Sequence, residues 1–341
     1  MLPPKKHKIA LVFFLLLTIM LSSCAQPSAS PAPTEPPVVE TASPPPEDTA
    51  TPPQRSSLVV IGLETWDAGQ QQAIRTTLQE IAGEAGLSVV ELGAETAGTV
   101  PENAYAVINF AEVSNPADLA AANPETRFIT VTRSQQASSA NLAVIHLPLA
   151  SRAFLAGYVS TVVASDFRSA GLFNSDEPYG PAQVYAFQNG GSYYCGTCYP
   201  YYSPLVQFPL VGYLSAGADT SAWQGLANEL LLNVVYVMYL DEYAADPALQ
   251  AEMAGKGVIL VGSDSPPDTV QSMYAATVGF DLSAALLLLQ GYLKGSEEAS
   301  VVAAPLQIRD VNEKYLTPGK LQNVEKIRES LDAGLISPLT P

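Results

Sequence analysis

From residue 57 onward the chain alternates between two hydrophobic patterns. Leu58-Val59-Val60-Ile61-Gly62-Leu63 is a continuous, largely β-branched run, as expected of a strand buried on both faces. Ile74, Leu78, Ile81 and Ala85 then recur at helical spacing, and Gly86 closes that helix before a second strand over 88–92. The alternation predicts strands at 106–110, 127–131 and 142–145, with a helix near 118–122. Around Leu149 the rhythm restarts with a helix from about 151 to 164, a strand at 170–173, a helix from about 181 to 191 and a strand near 205–208. Strands at 234–239 and 258–262 follow, flanking a helix through Leu249 and Met253. Strands alternating with helices predict an α/β fold of two tandem, doubly wound parallel-sheet lobes. A cleft then lies between the C-terminal ends of the two sheets, where such sheets take ligands. Over 282–294 a further helix is apolar nearly all round through Leu286 to Leu289, which predicts a buried position and is too short for a membrane span.

Upstream of residue 57 the pattern is different. Lys5, Lys6 and Lys8 precede an apolar run over 9–20, the form of a secretory signal. It closes on Leu21-Ser22-Ser23-Cys24, which resembles the lipobox of bacterial lipoproteins, where the cysteine takes the lipid and becomes the new N-terminus. An ordinary cleaved signal with an incidental cysteine is the alternative, but it leaves the position of Cys24 unexplained. Residues 25–56 are rich in Pro, Ser, Thr, Ala and Glu, with ten prolines between Pro27 and Pro53 and no aromatic residue, so they predict a semi-extended tether. At about 3.1 Å per residue such a tether reaches on the order of 100 Å. The expected domains are a signal peptide over 1–24, the tether over 25–56, a first lobe over 57–148 plus 281–303, and a second over 149–280 plus 304–341.

The chain of 341 residues carries 16 Lys and Arg against 33 Asp and Glu, a formal charge of -17 that falls to -20 once the three signal lysines leave. A surface that negative repels phosphate backbones, so no nucleic-acid partner is expected. His7 leaves with the signal and only His146 remains, at the end of an apolar strand, where a structural role is expected. With no phosphate loop, HExxH, GxSxG or EF-hand spacing, the chain is expected not to be an enzyme and to need no cofactor.

The order of several segments resembles the basic membrane protein family of ABC-transporter substrate-binding lipoproteins, a branch of the type I periplasmic-binding-protein fold that includes purine-nucleoside receptors. The segments are Asn123-Pro124-Glu125-Thr126-Arg127-Phe128, Phe154-Leu155-Ala156-Gly157, Ala186-Phe187-Gln188-Asn189-Gly190, Asn312-Glu313-Lys314-Tyr315-Leu316-Thr317-Pro318-Gly319 and the closing Leu331-Asp332-Ala333-Gly334-Leu335-Ile336. The resemblance implies a hinge crossed three times, near Pro148, near 276–280 and near 302–305. It also implies a small-molecule ligand and an ABC permease partner. In the family the turn after the first strand carries acidic residues and an aromatic that stacks on the base; here Trp66 and Asp67 stand there, without the family's Phe-Asn pair, and a plain N-cap role is the alternative for Asp67. Asp264 matches the family's Gly-Val-Asp, whose carboxylate accepts hydrogen bonds from ribose hydroxyls, though a turn cap before Pro266 is the plainer alternative. Phe110 and Asn174, at strand ends, complete the expected ligand-binding set. The family's Ser-x-x-Lys is replaced by Ala276-Thr277-Val278-Gly279, and its glycine-rich second-lobe turn by Tyr239-Leu240-Asp241-Glu242.

Cys195-Gly196-Thr197-Cys198 lies among five tyrosines in a stretch that reads as a loop, so a structural disulfide is expected there, and a zinc site would lack two ligands. The tyrosines either overhang the cleft and contact the ligand or pack on themselves at the surface. The expected protein is a lipid-anchored solute-binding protein on the extracytoplasmic face of the cell membrane, feeding an ABC importer with a nucleoside or related sugar-bearing compound. The alternatives are a ligand-sensing lipoprotein with a signalling partner and a surface lipoprotein with a degenerate pocket.

Overall fold

The structure, a computed structural model, describes residues 55–176 and 179–340. The expected signal peptide, Cys24 and all but the last two tether residues lie outside them. The chain joins the fold at Arg55, whose guanidinium donates to the Thr126 hydroxyl (2.8 Å).

In chain order the first part comprises β1 (Ser57–Ile61), α1 (Ala68–Ala85), β2 (Ser88–Leu92), β3 (Ala104–Asn109), α2 (Pro116–Ala122), β4 (Arg127–Thr132) and β5 (Leu142–His146). The second comprises α3 (Leu149–Val163), β6 (Ser169–Asn174), α4 (Gly180–Cys195), β7 (Leu210–Leu214), α5 (Thr220–Leu231), β8 (Val237–Leu240), α6 (Pro247–Gly255), β9 (Ile259–Gly262) and β10 (Tyr274–Phe280). The chain then returns through α7 (Leu282–Leu288), α8 (Gln290–Leu293), β11 (Val301–Ala303), β12 (Leu306–Arg309) and α9 (Pro318–Asp332).

Two six-stranded sheets result, ordered β11-β5-β4-β3-β1-β2 and β12-β10-β9-β8-β6-β7. Every pairing is parallel except β12, which runs antiparallel to β10 with Phe280 opposite Leu306. Since β11 pairs with β5 and β12 with β10, the chain passes between sheets after β5, after β10 and again between β11 and β12. β1, β3 and β4 read as apolar runs because helices cover both faces; β2, at the sheet edge, is mostly exposed.

α3 is buried along almost its whole length, packed on the second sheet and against α4 and α9. Its closeness to α4 depends on two glycines, since a Cβ on Gly157 would fall on the Phe187 carbonyl and one on Gly190 on the Phe154 carbonyl.

Several sequence expectations need correction. No strand forms at 205–208; the apolar run there is loop, with Phe208 buried beneath the Arg168 guanidinium, and β7 starts only beyond Pro209, which has no N–H for a ladder. α4 extends a turn past residue 191, so Cys195 is helical. α5, capped by Asp219 and burying Trp223, Ala227 and Leu230, is an additional helix. The helix expected over 282–294 breaks at Leu289 into α7 and α8, and Leu287 and Leu288 are exposed.

Candidate functional site

The C-terminal ends of β1, β3 and β4 face those of β8 and β9 across a cavity of about 380 Å3. Trp66, Phe110, Glu112 and Arg133 line it from the first sheet's side, and Glu242, Tyr243 and Asp264 from the second. Each sits just past a strand, where the backbone leaves the ladder and side chains turn toward the opposite lobe.

Gly62 sets the first wall. It holds φ +75°, a left-handed conformation that side chains resist, and packs against Ala111, so the chain turns sharply into a short 3-10 turn and delivers Trp66. The Trp66 indole N–H donates to the Phe110 carbonyl (3.4 Å), which fixes its ring next to Phe110. On the second wall, a Cβ at Gly262 would collide with the Tyr274 hydroxyl, and that hydroxyl donates to the Asp264 carbonyl (2.5 Å). The Asp264 backbone is therefore held, whereas its carboxylate has one contact, the Ser263 hydroxyl at 3.3 Å. Burial, reinforced by the neighbouring Glu242 charge, raises the Asp264 carboxyl above the usual carboxylate range.

The turn after β8 forms the floor. Asp241 is 1% exposed and accepts from the backbone N–H groups of Asn174 (2.6 Å), Tyr243 (3.0 Å) and Ala244 (3.1 Å). Burial and the adjacent Glu242 push it up to about 7 despite those bonds. Glu242 shifts the other way: burial opposes its charge, but Arg152 at 2.5 Å and Arg133 at 3.4 Å hold it ionised. Arg133 follows β4 of the first sheet, so this ion pair joins the lobes. The Tyr239 hydroxyl is buried nearby with no partner.

Of the five residues expected to bind ligand, the cavity brings together Trp66, Phe110 and Asp264. Asp67 is not among the lining residues. It caps α1 by accepting from Gln70 N–H (3.1 Å) and is clamped by the Arg309 guanidinium through two bonds, at 3.1 and 2.9 Å. Burial would raise this carboxyl, yet Arg309 and the capping N–H keep it below its ordinary value. Because Arg309 lies on β12, this is a second ion pair between lobes. Asn174 is also outside the lining; its backbone supports Asp241 and its side chain accepts from Asp176 N–H (2.9 Å). The tyrosine loop contributes nothing to the cavity. Cys195 and Cys198 are joined as a disulfide at the C-terminal end of α4. Arg133, Glu242, Tyr243 and Glu112 line the cavity as well, and no motif of the sequence singles them out. Among the described residues no group of three His, Cys, Asp or Glu is arranged to hold a metal ion.

Two lobes of parallel sheet, three crossovers and a cleft at the strand ends define the type I periplasmic-binding-protein fold. Among solved structures, the chain is similar to an ABC transporter solute-binding protein from Conexibacter woesei DSM 14684, with TM-score 0.60 and 14% identity over 84% of this chain and 98% of that one. It is similar also to a transcriptional activator of the comK gene from Bacillus halodurans, with TM-score 0.61 and 13% identity over 83% and 100%. A third is an ABC transporter periplasmic solute-binding protein from Actinobacillus succinogenes 130z with bound D-allose, at TM-score 0.53 and 14% identity over 76% and 98%. At these identities the likeness establishes the fold. No protein-family model matches the sequence, and no curated protein matches it.

Proposed function

We propose that this chain is an extracytoplasmic solute-binding protein, anchored through lipid on Cys24 and related to the basic membrane protein family, that captures a nucleoside or other sugar-bearing compound for an ABC permease. The observation that carries the reading is Asp264: a carboxylate with a fixed backbone and spare acceptor capacity, facing a cavity whose other wall is the Trp66 and Phe110 rings. A carboxylate only accepts hydrogen bonds and a sugar diol donates two, while a flat ring stacks on the indole. The solute-binding protein solved with D-allose supports a sugar-bearing ligand through its shared fold.

The test is a thermal-shift screen of nucleosides and aldoses, followed by calorimetry on wild type and Asp264→Ala. A ligand at 100 times its Kd stabilises the fold by about 2.7 kcal/mol. Losing two charge-assisted hydrogen bonds of roughly 1.5 to 3 kcal/mol each weakens binding at least tenfold. Full affinity in Asp264→Ala rejects the assigned residue, and the absence of any shift across the screen rejects the ligand class.

A further inference from the structure

The outer face of the second lobe carries a feature that the cleft does not use. Between Pro178 and Ala218 the sequence has no charged residue, although the molecule has a net charge of -17, and the same stretch holds eight of its 16 tyrosines. On the structure all of these but the half-buried Tyr179 face solvent. Tyr185 is 44% exposed, Tyr193 56%, Tyr194 46% and Tyr213 59%, while Tyr201 and Tyr202 reach 79% and 77%. The solvent stripe of a surface helix is ordinarily charged or strongly polar. That of α9 is, with Gln322, Lys326 and Glu329, but that of α4 reads Pro181, Tyr185, Gln188 and Ser192.

The surface runs lengthwise. At its cleft-side end Tyr185 and Tyr213 stand in a groove of about 380 Å3 with Val184, Pro181 and the amide of Gln188, between α4 and the end of β7. At the other end lies the loop after α4. Tyr201 N–H donates to the Asp166 carboxylate (2.8 Å) and the Arg168 guanidinium donates to the Tyr202 carbonyl. Asp166 and Arg168 immediately precede β6, so the loop sits at the strand end remote from the ligand cavity, about 20 Å away for a six-residue strand.

The rings are also held in place. Tyr193 meets Phe154 edge-on (5.6 Å between centroids), Tyr194 meets Tyr158 (5.6 Å) and Phe167 (6.5 Å), and Phe167 meets Tyr201 (6.4 Å). The Cys195–Cys198 disulfide and the bonds to Asp166 and Arg168 tie the loop to the lobe. Fixed aromatic faces lose little conformational entropy on binding.

We propose that this face, along α4 and the loop that follows it, is a binding track for an uncharged polysaccharide. Electron-rich tyrosine faces stack on the C–H faces of sugar rings, and the phenol hydroxyls and Gln188 amide exchange hydrogen bonds with sugar hydroxyls. The lack of charge selects a neutral partner: a phosphate-bearing chain or anionic bilayer finds no cation here and is repelled by the rest of the molecule. From Tyr185 to Tyr193 the helix advances about 12 Å and turns by about 80°, so both rings stand on its outer side, an extent suited to successive units of a linear polymer. The site is independent of the cleft and of whatever the cleft binds.

The experiment uses the full chain in detergent and measures sedimentation with insoluble neutral polysaccharides, namely cellulose, β-1,3-glucan and chitin, which cannot enter the cleft. Vesicles of phosphatidylcholine with and without phosphatidylglycerol serve as the alternative surface. Wild type should be retained by at least one polysaccharide, with little change between 0.05 and 0.5 M salt. Retention should fall at least tenfold in Tyr185→Ala/Tyr213→Ala and in Tyr201→Ala/Tyr202→Ala, and stay near wild type in the matching Phe variants, which keep the ring and the fold. The thermal shift given by any nucleoside or aldose that stabilises wild type should be the same in all four. Failure to bind any of the three polymers, retention that survives both alanine pairs, or preferential binding to vesicles overturns the proposal.

Discussion

Arg309→Met tests whether an ion pair between the lobes holds the arrangement in which the cavity exists. Arg309, on β12 in the second sheet, makes two hydrogen bonds to Asp67, the cap of α1 on the first. The side chains are 16% and 10% exposed, too enclosed for the near-zero value of a surface pair. Removing one partner of a fully buried pair costs about 3 to 5 kcal/mol. Here the cost is lower, about 2 kcal/mol, because residual solvent screens the charge and Asp67 keeps its bond to Gln70 N–H. That corresponds to roughly a 30-fold shift away from the joined lobes. Methionine retains the apolar stem, and Asp67→Asn retains the cap, so a double-mutant cycle isolates the pair. Chemical denaturation should give a coupling of about 1 to 2 kcal/mol, and small-angle scattering of Arg309→Met without ligand should show a larger radius than wild type. The sign with pH follows from Asp67, whose carboxyl lies below its ordinary value: the contribution is complete above the usual carboxylate range and disappears as pH falls through the depressed folded-state value. A coupling within error of zero at pH 7, with unchanged scattering, would refute the reasoning.

Other expected outcomes concern the helix crossing and the buried floor. Gly157→Ala or Gly190→Ala puts a methyl onto a carbonyl of the facing helix, so α3 and α4 must separate, and each should lose about 2 to 4 kcal/mol in denaturant unfolding; a loss under 0.5 kcal/mol would mean that the helices are not so closely packed. Asp241, pushed up to about 7, binds its proton more tightly folded than unfolded, so its contribution to stability should decline as pH rises from about 4 to about 7, by at most about 1.4 kcal/mol per unit, and then level off. Asp241→Asn should flatten that slope, and equal slopes in the two proteins would assign the pH dependence elsewhere.

The strands were readable because most are covered on both faces, and a buried parallel strand leaves a plain apolar run; the exposed edge strand β2 was found through the Gly86 stop before it. Residues 205–208 misled for the same reason, because Phe208 is apolar for the sake of the Arg168 guanidinium it packs under rather than for a ladder. Trp66, Asp67, Phe110, Asn174 and Asp264 share one sequence signal, a position just after a strand, and that signal cannot separate a residue facing a cavity from one already paired. What sets Asp67 apart is Arg309, 242 residues away. In the sequence Glu242 stands only as part of the stretch that replaces the family's glycine-rich turn. Its role follows from Arg152 on α3 and Arg133 after β4, whose convergence exists only once both sheets are folded.

Charge in the cleft narrows what it accepts. Asp241, Glu242 and Asp264 come from adjacent strands of the second lobe, and the buried cation on that side is Arg152, at 2.5 Å from Glu242. Asp241 meets its needs with three backbone N–H groups and a raised proton affinity, and Glu242 gains Arg133 only because the lobes are together. Asp264 alone has no cation and no strong donor, only the Ser263 hydroxyl at 3.3 Å. A ligand that donates hydrogen bonds satisfies it; an anionic ligand placed against it meets like charge in a partly dry site, where each pair interaction is several-fold stronger than in water. On the proposed reading, the cleft therefore takes a neutral nucleoside or sugar and refuses its phosphate ester. Arg133 adds to Arg152 a second cation for Glu242, and it does so from the other side of the cavity.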